Sequence, residues 1–333
     1  MRAIPLNFQT MYADLLQSIA LAPNEDHGSV SVRQVRGHEY LYVTSKDGAT
    51  RRQRVLGSSA DPAVRAKADA IRAAAKRARV RRTTVSSLKR AHVPSPSLPL
   101  GRVLEAMSNA GLFRQGAVLV GTAAYQTYPC AVGAYLSSGS LMTNDADLLV
   151  SSFMAKDAPL DLESVLQRAD PTFKALMSNT DDRPKIFRSS NDFQVDVLTK
   201  FGRNRKSPVR IDDLQCSAEA LKFMEYLAAA ETIEAIALYG PGILVRVPQP
   251  SSYAIHKLLI AQERKGGVKR NKDLAQARDL IDVFVAADAT SFEEQLGRAR
   301  ARGPSWRRNI DASLREMKLE LKQHRLVPTA PIA

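Results

Sequence analysis

The sequence predicts an α+β protein, and three observations predict it. Residues 29–56 alternate or cluster β-branched and aromatic side chains, as SVSVRQV and EYLYVTS do. Between residues 117 and 201, short apolar runs (AVLV, DADLLV, KIF, FQVDVL) alternate with turn-rich stretches, which is strand spacing. Residues 250–333 carry long helical segments with little turn chemistry.

Taken in order, the 29–56 segment reads as a small antiparallel unit turned at Asp47-Gly48. The run from Ser58 to Arg82 then has a Ser/Asp cap, a proline in its first turn and an Ala-rich body, which predicts a helix. HVPSPSLPL at 92–100 holds three prolines and suits an extended linker. From Gly101 a helix is expected, followed by a strand at 117–120, the pair Gly121-Thr122, and one apolar helix through AAYQTYPCAVGAYL. Further strands are expected at Asp145–Ser152, at KIFRSS and at FQVDVLTKF, the last two joined by a turn at Asn191-Asp192. Three C-terminal helices lead to a final one from Pro304 to His324, with Trp306, Arg307 and Arg308 anchoring it. The expected division is 1–95, a basic N-terminal region of small sheet plus helix; 101–248, a catalytic domain; and 249–333, a helical domain.

Composition narrows the function classes. The chain has 333 residues, 44% hydrophobic and 25% charged, enough for a sizeable core. No run reaches the roughly eighteen apolar residues a membrane span needs, and the first residues lack a secretory pattern, so a cytoplasmic protein with no membrane partner is expected. Cys130 and Cys216 lack CxxC spacing and read as buried free thiols rather than a disulfide or zinc framework. The net charge of +14 is uneven: +10 over residues 1–100, −2 over 101–250 and +6 over 251–333. Basic flanks around a near-neutral body favour a polyanionic partner. The candidate nucleic-acid contacts are Arg72, Lys76, Arg77, Arg79, Arg81 and Arg82 on the basic helix; a merely solvated face is the alternative.

The chemistry-bearing residues are acidic. Side chains alternate along a strand, so Asp145 and Asp147 point to one face about 7 Å apart. In FQVDVL, Phe193, Val195 and Val197 face one way and leave Asp196 on the other face. If these strands are neighbours, three carboxylates meet. Each like-charged pair at about 5 Å would cost roughly 3 kcal/mol at an effective dielectric of about 20, so a cation belongs among them. A hard dication with oxygen ligands answers that need, Mg²⁺ or Mn²⁺. Gly121 at a strand-to-helix turn lets backbone approach a phosphate, and Thr122 adds a hydroxyl.

The series AVLV-Gly121-Thr122, Asp145-Ala146-Asp147 and Val195-Asp196-Val197 resembles the nucleotidyltransferase superfamily of the polymerase-beta type, in particular bacterial minimal nucleotidyltransferase-like and abortive-infection toxin-like proteins. The resemblance spans roughly residues 101–285; Thr122 stands where most relatives carry serine. It implies a palm, a small mixed sheet flanked by helices. It also implies metal-dependent transfer of a nucleoside monophosphate from an NTP to an acceptor hydroxyl, with Asp145, Asp147 and Asp196 as catalytic and metal-holding residues. The segment from Tyr253 to Asp273 resembles the helical part of those proteins, where a lysine contacts donor phosphates. Tyr253 and Lys257, one helical turn apart, are then candidates to stack on the base and meet the triphosphate, against the plainer alternative of a solvated lysine beside a core stripe. An RNA acceptor, tRNA among the choices, fits the basic flanks. A protein acceptor, a defence role with an antitoxin partner, and an inactive transferase fold that binds nucleic acid are the alternatives.

Overall fold

Strand β1 (Arg2–Ala3) enters a helix that the strand and turn signals did not announce, α1 (Leu6–Leu21). The computed structural model describes all residues except 1, 23–27, 48–49, 137–142, 152, 157, 178–182, 203–205, 323–324 and 329–333. β2 (Ser29–Val35), β3 (His38–Asp47) and β4 (Thr50–Ser58) form the expected antiparallel sheet. Asp47 pairs with Thr50, and residues 48–49 of the expected turn lie outside the described residues. The Asp61 carboxylate accepts from the Ala63 N–H at 2.8 Å and Pro62 opens α2 (Pro62–Arg90), which runs eight residues past the expected end. Its buried stripe, Ile71, Ala74, Ala78, Arg81, Val85 and Leu88, explains the extension, because the same 3–4 spacing continues beyond Arg82.

The proline-rich segment is shorter as a linker than expected. Ser97 caps α3 (Leu98–Asn109) by accepting from the Leu100 N–H, and Pro99 sits in the first turn. After β5 (Val118–Val120), the single expected helix is broken into α4 (Gly121–Tyr125) and α5 (Tyr128–Val132). Pro129 lacks an N–H for a continuous ladder, and Gly133 at φ +69° ends the second piece. β6 (Ala134–Tyr135) then pairs with β1, and β7 (Asp145–Leu149) follows.

Next come α6 (Leu162–Ala169), β8 (Lys174–Leu176), β9 (Ile186–Arg188), β10 (Gln194–Thr199), β11 (Val209–Ile211) and β12 (Cys216–Ala220). The main mixed sheet has the order β11-β12-β10-β7-β5, with β8 and β9 branching from the first half of β10. α7 (Met224–Ala229) leads to a hairpin absent from the sequence expectations, β13 (Thr232–Ala237) and β14 (Ile243–Pro248).

The C-terminal helices are α8 (Pro250–Ala261), α9 (Gly267–Arg300, kinked at Asp288) and α10 (Pro304–Glu316). Trp306 is buried edge-on against Phe223 and Tyr226, so it does anchor α10. The expectation of a helix to His324 is corrected: α10 stops at Glu316, Lys318 turns left-handed at φ +56°, and β15 (Leu319–Lys322) and β16 (Arg325–Pro328) form a hairpin. Most buried apolar side chains share one core around the main sheet. A second cluster joins Tyr12, Leu15 and Ile19 of α1, Val85 and Leu88 of α2 and Val93 to Ile236 of β13 and the following Leu238.

Candidate active site

The carboxylates are placed by strand register. β10 lies parallel to β7 with Asp196 opposite Asp147 and Gln194 opposite Asp145. Adjacent strands run about 4.8 Å apart, and alternate residues share a face. Ala146, Leu148, Val195 and Val197 are buried on the core side, which leaves Asp145, Asp147 and Asp196 half-buried together on the other. Asp147 is the most perturbed: burial, then the charges of Asp145 and Asp196, push it up to about 7 against the pull of Lys257 and Arg264. Burial also raises Asp196, although the Gln194 amide donates to its two oxygens at 2.8 and 3.0 Å.

These three carboxylates are a hard-oxygen donor set of the kind a dication takes, and their mutual repulsion is relieved by one. As the side chains stand, no group of three acidic, His or Cys residues among the described residues is drawn together as a finished metal cage. Asp145 accepts from the Thr143 hydroxyl and Asp196 from the Gln194 amide, bonds that orient the carboxylates and leave lone pairs for a cation.

Gly121 is fixed by this centre. Val120 pairs with Asp147 across β5 and β7, and the next residue turns left-handed at φ +65°. A Cβ at Gly121 would lie 2.0 Å from Asp147 Oδ2, so the carboxylate occupies the space that the missing side chain leaves. Thr122 is buried in the first turn of α4. That helix has only five residues, so the dipole expected from a long helix is largely absent.

A cationic wall faces the acids from α8 and α9. Lys257 is buried and donates to Asp273 Oδ1, whose other oxygen accepts from Arg264 Nε at 2.9 Å. Burial drives Asp273 up, but Lys257 and Arg264 outweigh it and hold the carboxyl below its usual range. Lys257 therefore is not the solvated lysine of the plainer alternative; it is a buried charge, paired to Asp273 and near enough to Asp147 to draw its pKa down. Lys272 is half-buried, its pKa lowered by burial, and feels Asp145 and Asp147; exposed Lys269 and Arg188 face Asp196. Asp273 is the member that pattern reading undervalued, and its signal was the i, i+16 pairing with Lys257 that only the α8–α9 packing reveals.

Two expectations are corrected. Tyr253 does not offer a free ring to a base: it is 1% exposed, stacked on Tyr125 and edge-on to Tyr128, and its hydroxyl lies 2.9 Å from Gly121 O and 2.8 Å from Gln276 Oε1. Its position holds the Gly121 turn from beneath. Arg81 is not an available nucleic-acid contact, because it falls on the buried stripe of α2 and donates to the Ser18 hydroxyl at 2.9 Å and to the Ser18 carbonyl. The other five stay exposed: Arg72, which pairs with Asp69 at 2.8 Å, and Lys76, Arg77, Arg79 and Arg82.

A mixed α/β protein with a carboxylate-bearing sheet face and a cationic helical wall has the parts for phosphoryl-group chemistry. The chain belongs to a nucleotidyltransferase family, whose profile, described as Nucleotidyltransferase, matches residues 99–300. Among solved structures, an antigenic nucleotidyltransferase-like protein from Paracoccidioides brasiliensis is similar at 15% identity and a TM-score of 0.33, over 66% of this chain and 95% of that chain. No curated protein sequence matches. No helix among the described residues is long and apolar enough to cross a membrane.

Proposed function

We propose that the chain transfers a nucleoside monophosphate from an NTP to a hydroxyl of an RNA acceptor, with the sheet of β5, β7 and β10 acting as a palm. The observation that carries this reading is the register that sets Asp147 beside Asp196, with Asp145 on the same face and Lys257, Arg264, Lys269 and Lys272 around them. Asp145, Asp147 and Asp196 would hold Mg²⁺ or Mn²⁺, which when bound supplies neutralisation of the triphosphate and of charge developing on it.

The protein's own residues account for the rest. Lys272 and Lys269 present positive charge to the phosphates at the open side of the centre. The buried Lys257–Asp273 pair, capped by exposed Arg264, ties α8 to α9 beside the acids. Asp196, on the face it shares with Asp145 and Asp147, would accept the proton of the attacking hydroxyl through an oxygen not engaged by the dication. That oxygen bonds to the α-phosphorus, the bond to the bridging oxygen of the β-phosphate breaks, pyrophosphate leaves, and the proton passes from Asp196 to solvent.

The test is incubation of the full chain with each α-labelled NTP, Mg²⁺ or Mn²⁺, and total RNA or lysate, followed by separate RNase and protease digestion. RNase-sensitive label that disappears in Asp147→Asn supports the reading. Protease-sensitive, RNase-resistant label assigns a protein acceptor, and absence of both label and pyrophosphate overturns the transferase activity.

A further inference from the structure

A second charged feature lies away from the carboxylates. A cleft of about 820 Å³ opens between the N-terminal sheet and α2 on one side and α3, the end of α6 and the β13–β14 hairpin on the other. Among the described residues, seven arginines and two glutamates line it, a net +5. The arginines come from separate elements: Arg51 from β4, Arg82 from α2, Arg102 from α3, Arg168 from α6 and Arg246 from β14, with Arg114 beside them, while Arg81 adds its charge from a guanidinium already bonded to Ser18. Arg51, Arg102 and Arg168 are exposed, and Arg246 is half-buried. Glu105 faces Arg82 and Arg102, and Glu234 stands opposite Arg246 across the hairpin, so the acids offset only part of the charge. None of the cleft residues belongs to the carboxylate centre or to its α8–α9 wall.

Guanidinium groups gathered from six parts of the chain repel one another, and a cleft that keeps them has an anionic occupant to compensate. Arginine throughout is informative, because its planar fork matches phosphate in a bidentate way that lysine does not. The charges come from several separate elements that wall the cleft, an arrangement that suits several consecutive singly charged phosphates. Ser29, Thr44, Ser45, Ser108 and Asn109 add neutral groups of the type that bond phosphate and sugar oxygens.

We infer that this cleft, rather than the outer face of α2, seats the phosphodiester backbone of the RNA acceptor. The inference rests on the RNA-acceptor reading above and names where that acceptor is held. Binding energy gathered here, remote from the reacting hydroxyl, positions the acceptor for transfer. α2 contributes only the side that carries Arg82; Arg65 and Arg79 on its exposed face stand outside the cleft lining.

The test uses the full chain, a fluorescein-labelled RNA 20-mer and fluorescence anisotropy in EDTA, across a salt series. Arg102→Glu/Arg168→Glu reverses two exposed cleft charges on helices, and Arg65→Glu/Arg79→Glu makes the same change on the outer face of α2. The cleft variant is expected to lose at least about tenfold in affinity and to flatten the log–log salt slope by about 1.4, the share of two phosphate contacts on a single strand. The α2 variant should bind within about twofold of wild type, and Arg102→Lys/Arg168→Lys should keep the salt slope, because it keeps the charge, while losing part of the affinity with the bidentate fork. Equal affinity and slope in the cleft variant and wild type, or an equal loss in the α2 variant, overturns the assignment. The two readings fail separately: RNA held through the cleft while label goes to protein sinks the acceptor assignment alone, and labelled RNA with cleft variants that bind normally sinks the cleft alone.

Discussion

Asp147 brings structure and chemistry into conflict at one residue. Its carboxyl titrates near 7 in the folded chain against an ordinary value of 3.8, so the folded state holds a proton that the unfolded state has lost between about pH 4 and 7. Metal-free stability that is present at pH 4 is therefore lost as pH rises through 7. Asp147→Asn removes that charge while keeping the shape. At pH 8 without metal the variant should melt above wild type by differential scanning fluorimetry, with the gap closing toward pH 5. Nucleotidyl transfer by the same variant should fall on the order of a thousandfold, as when one preorganised charge-stabilising group is lost. Gly121 is the matching case for backbone. Alanine there must adopt a left-handed φ, at roughly 1–3 kcal/mol, and push the Asp147 carboxylate aside. Gly121→Ala should lower the melting temperature and reduce turnover by about a hundredfold, the scale of an ångström-sized displacement; unchanged turnover would remove Asp147 from the reacting centre. Both residues were legible in the sequence, since period-two alternation and a strand-ending glycine need no tertiary information. The role of Gly121 was only half legible: the sequence pointed to a phosphate, while the closest neighbour of the missing Cβ is Asp147.

At the scale of elements, legibility followed how local the determining interaction is. β10 was readable because Val195 and Val197 alternate with Asp196, and its pairing with β7 follows once both strands exist. The split between α4 and α5 was marked by Pro129, and the apolar composition of the segment concealed it. α8 was read as one-sided, with Lys257 on a solvated or ligand-facing side, yet nearly every residue from Pro250 to Ala261 is buried, because α9 and α10 cover the sides that pattern reading left open. His256 shows the consequence. It is buried with Nε2 unpartnered, and burial first, then Lys257, depresses its pKa from 6.5 to about 3. A base held neutral in the fold contributes stability that is present above pH 6.5 and lost as pH falls toward 3, at up to about 1.4 kcal/mol per pH unit for one proton. Urea unfolding between pH 7 and 4.5 should show a decline that is shallower in His256→Gln by about one proton. Equal slopes in the two proteins would mean that the imidazole charges without cost and α8 is more open than its packing implies.

The expected division at residues 92–100 falls between α2, which ends at Arg90, and α3, which begins at Leu98. Composition could not say whether the chain on either side is independent. The second core cluster argues that it is not. Tyr12, Leu15, Ile19, Val85 and Leu88 close over Ile236 and Leu238, and the Tyr12 hydroxyl lies 2.9 Å from the Ile236 N–H of β13. Burial of that N–H raises the demand on its partner, and Tyr12 itself is driven above the usual tyrosine range by burial. β13 carries β14, and β14 runs directly into α8, so the N-terminal helices support the hairpin from which the cationic wall departs. Removing residues 1–95 would expose Ile236 and Leu238 and forfeit about 1.5–3 kcal/mol for each large apolar side chain that had been covered. The 96–333 fragment should accordingly express poorly, or melt well below the full chain by circular dichroism, and should lose transfer activity even though it retains Asp145, Asp147 and Asp196. A single substitution checks the same link without deletion. Tyr12→Phe leaves the Ile236 N–H buried without its partner, at about 1–3 kcal/mol, and should lower the melting temperature with the acidic centre untouched. A fragment that folds with the full chain's stability and transfers nucleotide at its rate would show that the N-terminal region is a separate appendage and that the second cluster contributes nothing to the site.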